Sequence, residues 1–500
     1  MRLIHAAVIS LILLTTNYAL AADPSPAPAQ ATGYEDATKH HDRATPVWVL
    51  PKATAPSNMD WTTPDMPKSH AANQFYGPMI CAGCHRDIFN QWKGSMMAAA
   101  WKDPVFRAVY FKYVKDAKTE NEKAEVAMCS RCHTPVGYVA DNMGRYAPGT
   151  ELSDPEAAGV QCEVCHTVAK SAGIANGAWL LDPGNAAENV PGTKYGPRKD
   201  SVSGFHKTQY GELHTRSDFC GMCHDVNHAH NYMAIENTYS EWRNSPYNTG
   251  DPNTTTFCQD CHMRQTPENP ATGSTEKLDI PGTAAVGGKK REHVWQHNFV
   301  GGNLAVTALL GAHPHAKMAE DRLKHAAKVE YTGGGKAAAG EIFHLPVKVT
   351  NNGAGHYLPT GLTFVREMWL DVTVKDAAGN EIYRSGELDG QGNLKPGAVI
   401  YRSVLGKEGK EMKPTLFLPE ATQVIEDHRI RPQGYVMEDF SFVIPADAKP
   451  PLKYHVEMRY RSAPQFVVND LLGKGAPVLP IFDMGEAEGV IEIVPAAAKK

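Results

Sequence analysis

No run of Lys or Arg in the 500 residues resembles a nucleic-acid footprint, and the formal net charge is only −5, which argues against nucleic acid as a partner. No apolar stretch reaches the roughly 20 residues a membrane helix needs, so no integral membrane segment is expected once the N-terminal leader is removed. No cysteine stands alone and none lies beyond Cys261, although an exported chain with ten cysteines would ordinarily suggest disulfides. Long periodic apolar segments are also missing between about His70 and His325, where Gly, Pro, Asn and Asp abound, so that stretch cannot build an ordinary core. At this length more than one folded region is expected.

The leader is MRLIHAAVISLILLTTNYALA. It has a basic start at Arg2, an apolar stretch from Leu3 to Leu14 and a small-x-small ending at Ala19-Leu20-Ala21. This predicts a signal peptide over residues 1–21, cleaved after Ala21, and a mature protein in the periplasm or at the cell surface; a retained N-terminal anchor is the competing reading. Residues 22–68 contain PSPAPAQ and further prolines and read as an extended arm.

All ten cysteines fall into five C-x-x-C pairs, each followed at once by histidine: Cys81, Cys84 and His85; Cys129, Cys132 and His133; Cys162, Cys165 and His166; Cys220, Cys223 and His224; Cys258, Cys261 and His262. This is the attachment signature of c-type haem. Two thiols separated by two residues can each form a thioether with one porphyrin vinyl group, and the next residue then sits beneath the iron as proximal ligand. Five covalent haem c groups are expected, with the cysteines binding the macrocycles and the five histidines binding iron. Zinc ribbons leave the five histidines unexplained, and five pairs do not divide into four-cysteine sites. The macrocycles would supply the core that residues 69–328 lack.

Within that region helices are predicted over Asp87–Ala100, Pro104–Lys115, Met233–Trp242 and Lys317–Ala327. Beyond about Glu330 the period becomes two. Phe343, Leu345, Val347 and Val349 form one alternating set, Leu370, Val372 and Val374 a second, and Tyr454, Val456, Met458 and Tyr460 a third. DAAGN and DGQGN supply turns, and further strands are predicted over Ala398–Val404, Thr422–Ile430, Phe440–Ile444 and Gly489–Val494. The expected fold is therefore multidomain: a haem-cored cytochrome domain of short helices and coil, then an all-β antiparallel sandwich over residues 329–500.

The segments CAGCHRDIFNQWKGS, CGMCHDVNHAH, ENTYSEWRNSPY, CQDCHM and HNFVGGN resemble the multihaem c-type cytochromes related to the tetrahaem carrier of the hydroxylamine pathway. NNGAGHYLPTG and REMWLDVTVKDAAGNEIYRSG resemble the β-sandwich often fused to them. The resemblance implies electron transfer with most irons held by two histidines. It also implies distal ligation by His214, which lies shortly before the fourth motif, and by His297 in HNFVGGN. One departure concerns the family's W-x-x-S-x-H segment, where Trp92-Lys93-Gly94-Ser95-Met96-Met97 places Met97 at the histidine position. Met97 is either an axial ligand, which would raise that haem's potential, or a packing residue.

Further distal candidates are His206, His228, His230 and His70, the last where the arm meets the first motif. His356 is a loop histidine that either reaches a haem or serves a domain junction. His344 and His455 fall on the solvent phase of their strands; His313, His315 and His325 are ligands or ordinary helix positions. No catalytic residue is assigned. The leading functional expectation is an electron carrier working with redox partner proteins. One alternative is an oxidoreductase whose open iron acts on a small nitrogen or sulfur species, although no Lys-ended motif is present. Another is the subunit of a polymeric haem wire, with His40, His41 or His70 ligating a neighbouring copy.

Overall fold

The computed structural model describes residues 70–140, 146–228, 231–416, 418 and 420–494. The predicted leader and arm, and His40, His41 and His230, lie outside the described residues.

Short helices, loops and short strand pairs make up the first part. Helix α1 (Arg86–Trp92) is separated from α2 (Met96–Ala99) by a turn through Gly94, where a Cβ would collide with the His315 ring. The single helix expected over Asp87–Ala100 is therefore two. Asp103 caps α3 (Pro104–Asp116) by accepting from Val105 N at 2.8 Å. Thr119 and Glu122 form a capping box that starts α4 (Glu120–His133), whose last turn carries the second motif. The predicted Met233–Trp242 helix is corrected to a short strand, Ala234–Glu236, followed by α5 (Thr238–Arg243), because the strand pairs with Val226–Asn227 and claims the first half. The last helix of this part, α6, runs from His313 to Lys324.

The second part begins with β1 (Ala327–Tyr331), β2 (Lys336–Ala338) and β3 (Ile342–Asn351), and continues through β4 (Glu367–Lys375), β5 (Glu381–Ser385) and β6 (Val399–Tyr401). It ends with β7 (Tyr435–Val443), β8 (Leu452–Arg461) and β9 (Phe482–Val494). One sheet has the order β2-β9-β8-β4-β5, with β6 also on β4; another has the order β7-β3-β1. Inward residues of both, including Leu345, Val347, Leu370, Val372, Val456 and Ile491, join one buried cluster. The alternation in β3 follows from this, since its odd-numbered residues from Phe343 face that cluster. In β4 the polar face is buried too, because Arg384 and Arg459 cover Asp371.

Two features depart from an all-β antiparallel region. Strand β2 pairs with β9 in parallel, and helix α7 (Gln465–Leu472) follows β8, burying Val467 and Val468. Among the described residues, no helix is long and apolar enough to cross a membrane.

Candidate haem-binding site

The second, third and fifth C-x-x-C-H motifs lie in helical backbone, and the first and fourth begin in the last turn of a helix and run on through a turn. A helical turn places residues i and i+3 on one face, so the two thiols of a motif point the same way. The turn closes onto the histidine, with His85 N donating to Cys81 O and His224 N to Cys220 O, both at 2.8 Å.

The histidines share a hydrogen-bond arrangement. Nδ1 of His85 meets Ala284 O at 2.6 Å, and that of His133 meets Ala100 O at 2.9 Å. His166 meets Tyr195 O and His262 meets Val300 O, each at 2.7 Å. A carbonyl oxygen only accepts, so in these four rings Nδ1 carries the proton and Nε2 keeps its lone pair. Nδ1 of His224 instead lies 3.2 Å from Glu236 Oε1. The donor set of paired thiols and a fixed imidazole with a free Nε2 is what covalent haem requires, and the residues fit the group.

A second imidazole faces three of the five. Ring centres of His85 and His206 are 6.4 Å apart with planes at 24°, and those of His262 and His356 are 6.4 Å apart at 17°. His166 has two such neighbours, His214 at 6.0 Å and 16° and His297 at 6.3 Å and 28°. One metal ion with bonds of about 2 Å to an imidazole on either side sets two ring centres roughly 6 Å apart. The Nδ1 atoms of His206, His297 and His356 meet the carbonyls of Lys207, Trp295 and Tyr357, so these rings also offer Nε2. His214 is reversed: its Nε2 donates to Cys165 O at 3.0 Å, and Nδ1 is buried without a partner.

Burial holds most of these rings in the neutral form that ligation demands. It pushes His166 and His262 down to about 3, with neighbouring imidazoles adding to the effect at His166 and the Arg322 guanidinium at His262, and it pushes His297 down to about 4. His133, His206, His214 and His356 shift the same way for the same first cause. His224 goes the other way: burial disfavours its charge, but the Glu236 carboxylate outweighs that and raises it to about 9.

The remaining candidates are placed differently. His228 is buried, with Nε2 3.4 Å from Glu125 Oε1 on α4. His70 packs edge-on against Phe75. The half-buried Met97 anchors its turn through its carbonyl, which accepts from Val160 N. His315 is buried and donates to Gln91 O; His344 and His455 sit on exposed faces beside Asp439 and Glu486. Phe106 lies flat on His133, with ring centres 3.6 Å apart and planes at 2°. It therefore flanks that imidazole rather than opposing its Nε2.

The His356 loop is seated by a buried junction that sequence reasoning did not identify. Glu241 on α5 accepts from Tyr357 N at 3.1 Å and Thr360 Oγ1 at 2.7 Å, and pairs with Arg429. Asp427 grips Arg429 with two bonds of 2.7 Å, and the guanidinium lies 4.9 Å over the Tyr357 ring. The motifs also touch one another. Cys81 and Cys162 are within hydrogen-bond reach, as are Cys132 and Cys223, and Cys220 and Cys258; Cys165 lies within electrostatic range of Cys220 and Cys223. The fourth motif thus borders the second, third and fifth, and the first borders the third.

Residues 80–167, which hold the first three motifs, match the family described as cytochrome c554 and c-prime. In fold the chain is similar to a penta-heme cytochrome c552 from Thermochromatium tepidum, at a TM-score of 0.56 and 20% identity over 84% of this chain and 100% of that one. A sporulation control protein, Spo0M from Bacillus subtilis, aligns at a TM-score of 0.16 and 11% identity over 34% of this chain and 50% of that one, which carries no argument. No curated protein matches in sequence. The motifs, the family match and the fold together define a multihaem c-type cytochrome with covalently bound haem c.

Proposed function

We propose that this protein is an exported five-haem electron carrier, in which each C-x-x-C-H motif holds one haem c and adjacent motifs form the path. Bound haem supplies a reversible one-electron iron couple. His85, His133, His166, His224 and His262 are the proximal ligands; His206, His297 and His356 are the distal partners of the first, third and fifth sites. The domain division is a cytochrome part over residues 69–328 and a β part over residues 329–500. The observation that carries this reading is the set of opposed imidazoles roughly 6 Å apart, each ring fixed through Nδ1 with Nε2 left for metal. Ten thioether bonds formed outside the cytoplasm account for every cysteine, which fits a periplasmic or surface location and redox proteins as partners.

Contacts between the motifs support one order for the path. The first site leads to the third, the third to the fourth, and the second and fifth both border the fourth. Cys84 and His206 are exposed or partly exposed, so the first site is a terminus where a partner can dock.

A second reading, an oxidoreductase with an open iron, draws on one observation: among the described residues, no second imidazole faces His133 or His224. Low-temperature EPR of the oxidised holo-protein, before and after adding nitrite or nitric oxide, separates the two. Wholly low-spin signals unmoved by ligand support the carrier, whereas a high-spin signal that shifts on addition supports the enzyme. A holo-protein mass with fewer than five haems overturns the stoichiometry.

A further inference from the structure

Four of the five motif histidines direct Nδ1 at a main-chain carbonyl: Ala284 O, Ala100 O, Tyr195 O and Val300 O. The fifth, His224, directs it at a carboxylate, Glu236 Oε1. This contact is built into the backbone. Glu236 ends the strand Ala234–Glu236, where it pairs with Val226 just beyond the motif, and Tyr239 N donates to His224 O at 2.9 Å from the next turn. Thr238 Oγ1 also reaches Oε1, at 3.4 Å, and the carboxylate is largely screened from solvent.

The chemistry of the two acceptors differs. A hydrogen bond to an ionised acceptor is roughly twice as strong as one to a neutral acceptor. A carboxylate drawing on the Nδ1 proton makes the imidazole a more basic donor to a metal on Nε2. A negative charge on the far side of the ring that would hold an iron also favours its more positive, oxidised state. Both effects act in the same direction, and none of the four carbonyl-bonded histidines has the charged hydrogen bond.

We propose that Glu236 is a positioning residue that tunes the fourth centre to the lowest reduction potential of the five, by holding His224 in a form with partial imidazolate character. This rests on the reading of His224 as a proximal ligand. The fourth motif borders the second, third and fifth. The junction of the path is then a centre that electrons cross without resting, and reducing equivalents collect on the centres around it. His133 lies within electrostatic range of Glu236 but bonds to Ala100 O, so the second centre takes a smaller effect.

The test is a redox titration of the full holo-protein, followed by EPR and absorbance, in wild type and in Glu236→Gln. Glutamine keeps the size and an acceptor oxygen and removes the charge. The expected result is one midpoint potential shifted clearly upward, the last centre to reduce in wild type moving earlier in order, a second shifted slightly, and three unmoved. Superimposable titrations overturn the proposal, as does a uniform drift of all five. Should Glu236→Gln not mature, Glu236→Asp keeps the charge at a longer reach, and its midpoint must fall between wild type and the other centres; an unshifted midpoint overturns the proposal. Peptide mapping for haem on Cys220 and Cys223 is done first. Absence of haem there sinks the functional reading, whereas haem present with unshifted potentials sinks only the role of Glu236.

Discussion

His262 and His356 face each other with ring centres 6.4 Å apart and planes 17° from parallel, one from the last attachment motif and the other from a loop between β3 and β4. The β part therefore brings an imidazole up to that of the last motif. Asn351 fixes the loop by donating to His356 O at 2.9 Å, and Glu241 fixes it from the cytochrome side.

Replacing His356 by Ala should convert one low-spin centre of the oxidised holo-protein to high spin and leave the others as they were. EPR integration of the high-spin signal checks this, with one centre's worth expected.

His214 and His297 compete for the third site, and their tautomers rank them. His297 spends Nδ1 on Trp295 O and keeps Nε2 beside the His166 ring, whereas His214 spends Nε2 on Cys165 O. His297→Ala should raise a high-spin signal from the third centre. His214→Ala should leave that centre low-spin, and any centre it disturbs would be one reached by the buried Nδ1.

The Glu241–Arg429 pair is buried on both sides, with 7% and 9% of the side-chain surfaces exposed. Removing Arg429 leaves the buried Glu241 carboxylate without its counter-charge, at a cost of about 3–5 kcal/mol. Arg429→Met should lower denaturation stability by that order and also raise the high-spin signal of the fifth site. Arg429→Met combined with Glu241→Gln should recover part of the stability.

Stability should also depend on pH through His428. Burial disfavours its charge, but Glu438, 3.0 Å from Nε2, outweighs burial and raises the pKa. The contribution is complete below the unfolded value of about 6.5 and is lost as pH rises through the raised folded value. Urea unfolding across that window should show wild type losing more stability with rising pH than Glu438→Gln, whose slope in the same interval should be flatter.

The motifs were legible because thioether chemistry fixes a local spacing. Strands such as β3 and β8 were legible because one face is buried against a single core and the period is two. The opposing imidazoles were less so: His206, His297 and His356 meet their partners across the fold, and the acceptors that set their tautomers are main-chain carbonyls, which carry no side-chain signature. Ala234–Glu236 was misread as helix because three residues are too few to show a period. Helix α4 had a readable start in Thr119-Glu120-Asn121-Glu122, but its charged face masks the apolar spacing. Glu236 is the first residue of ENTYSEWR, yet only the pairing with Val226 brings it to His224.

The Glu241 junction has one more consequence. Because it seats the loop that carries His356, under the proposed ligation the spin state of the fifth iron would be a built-in gauge of whether the β part has docked.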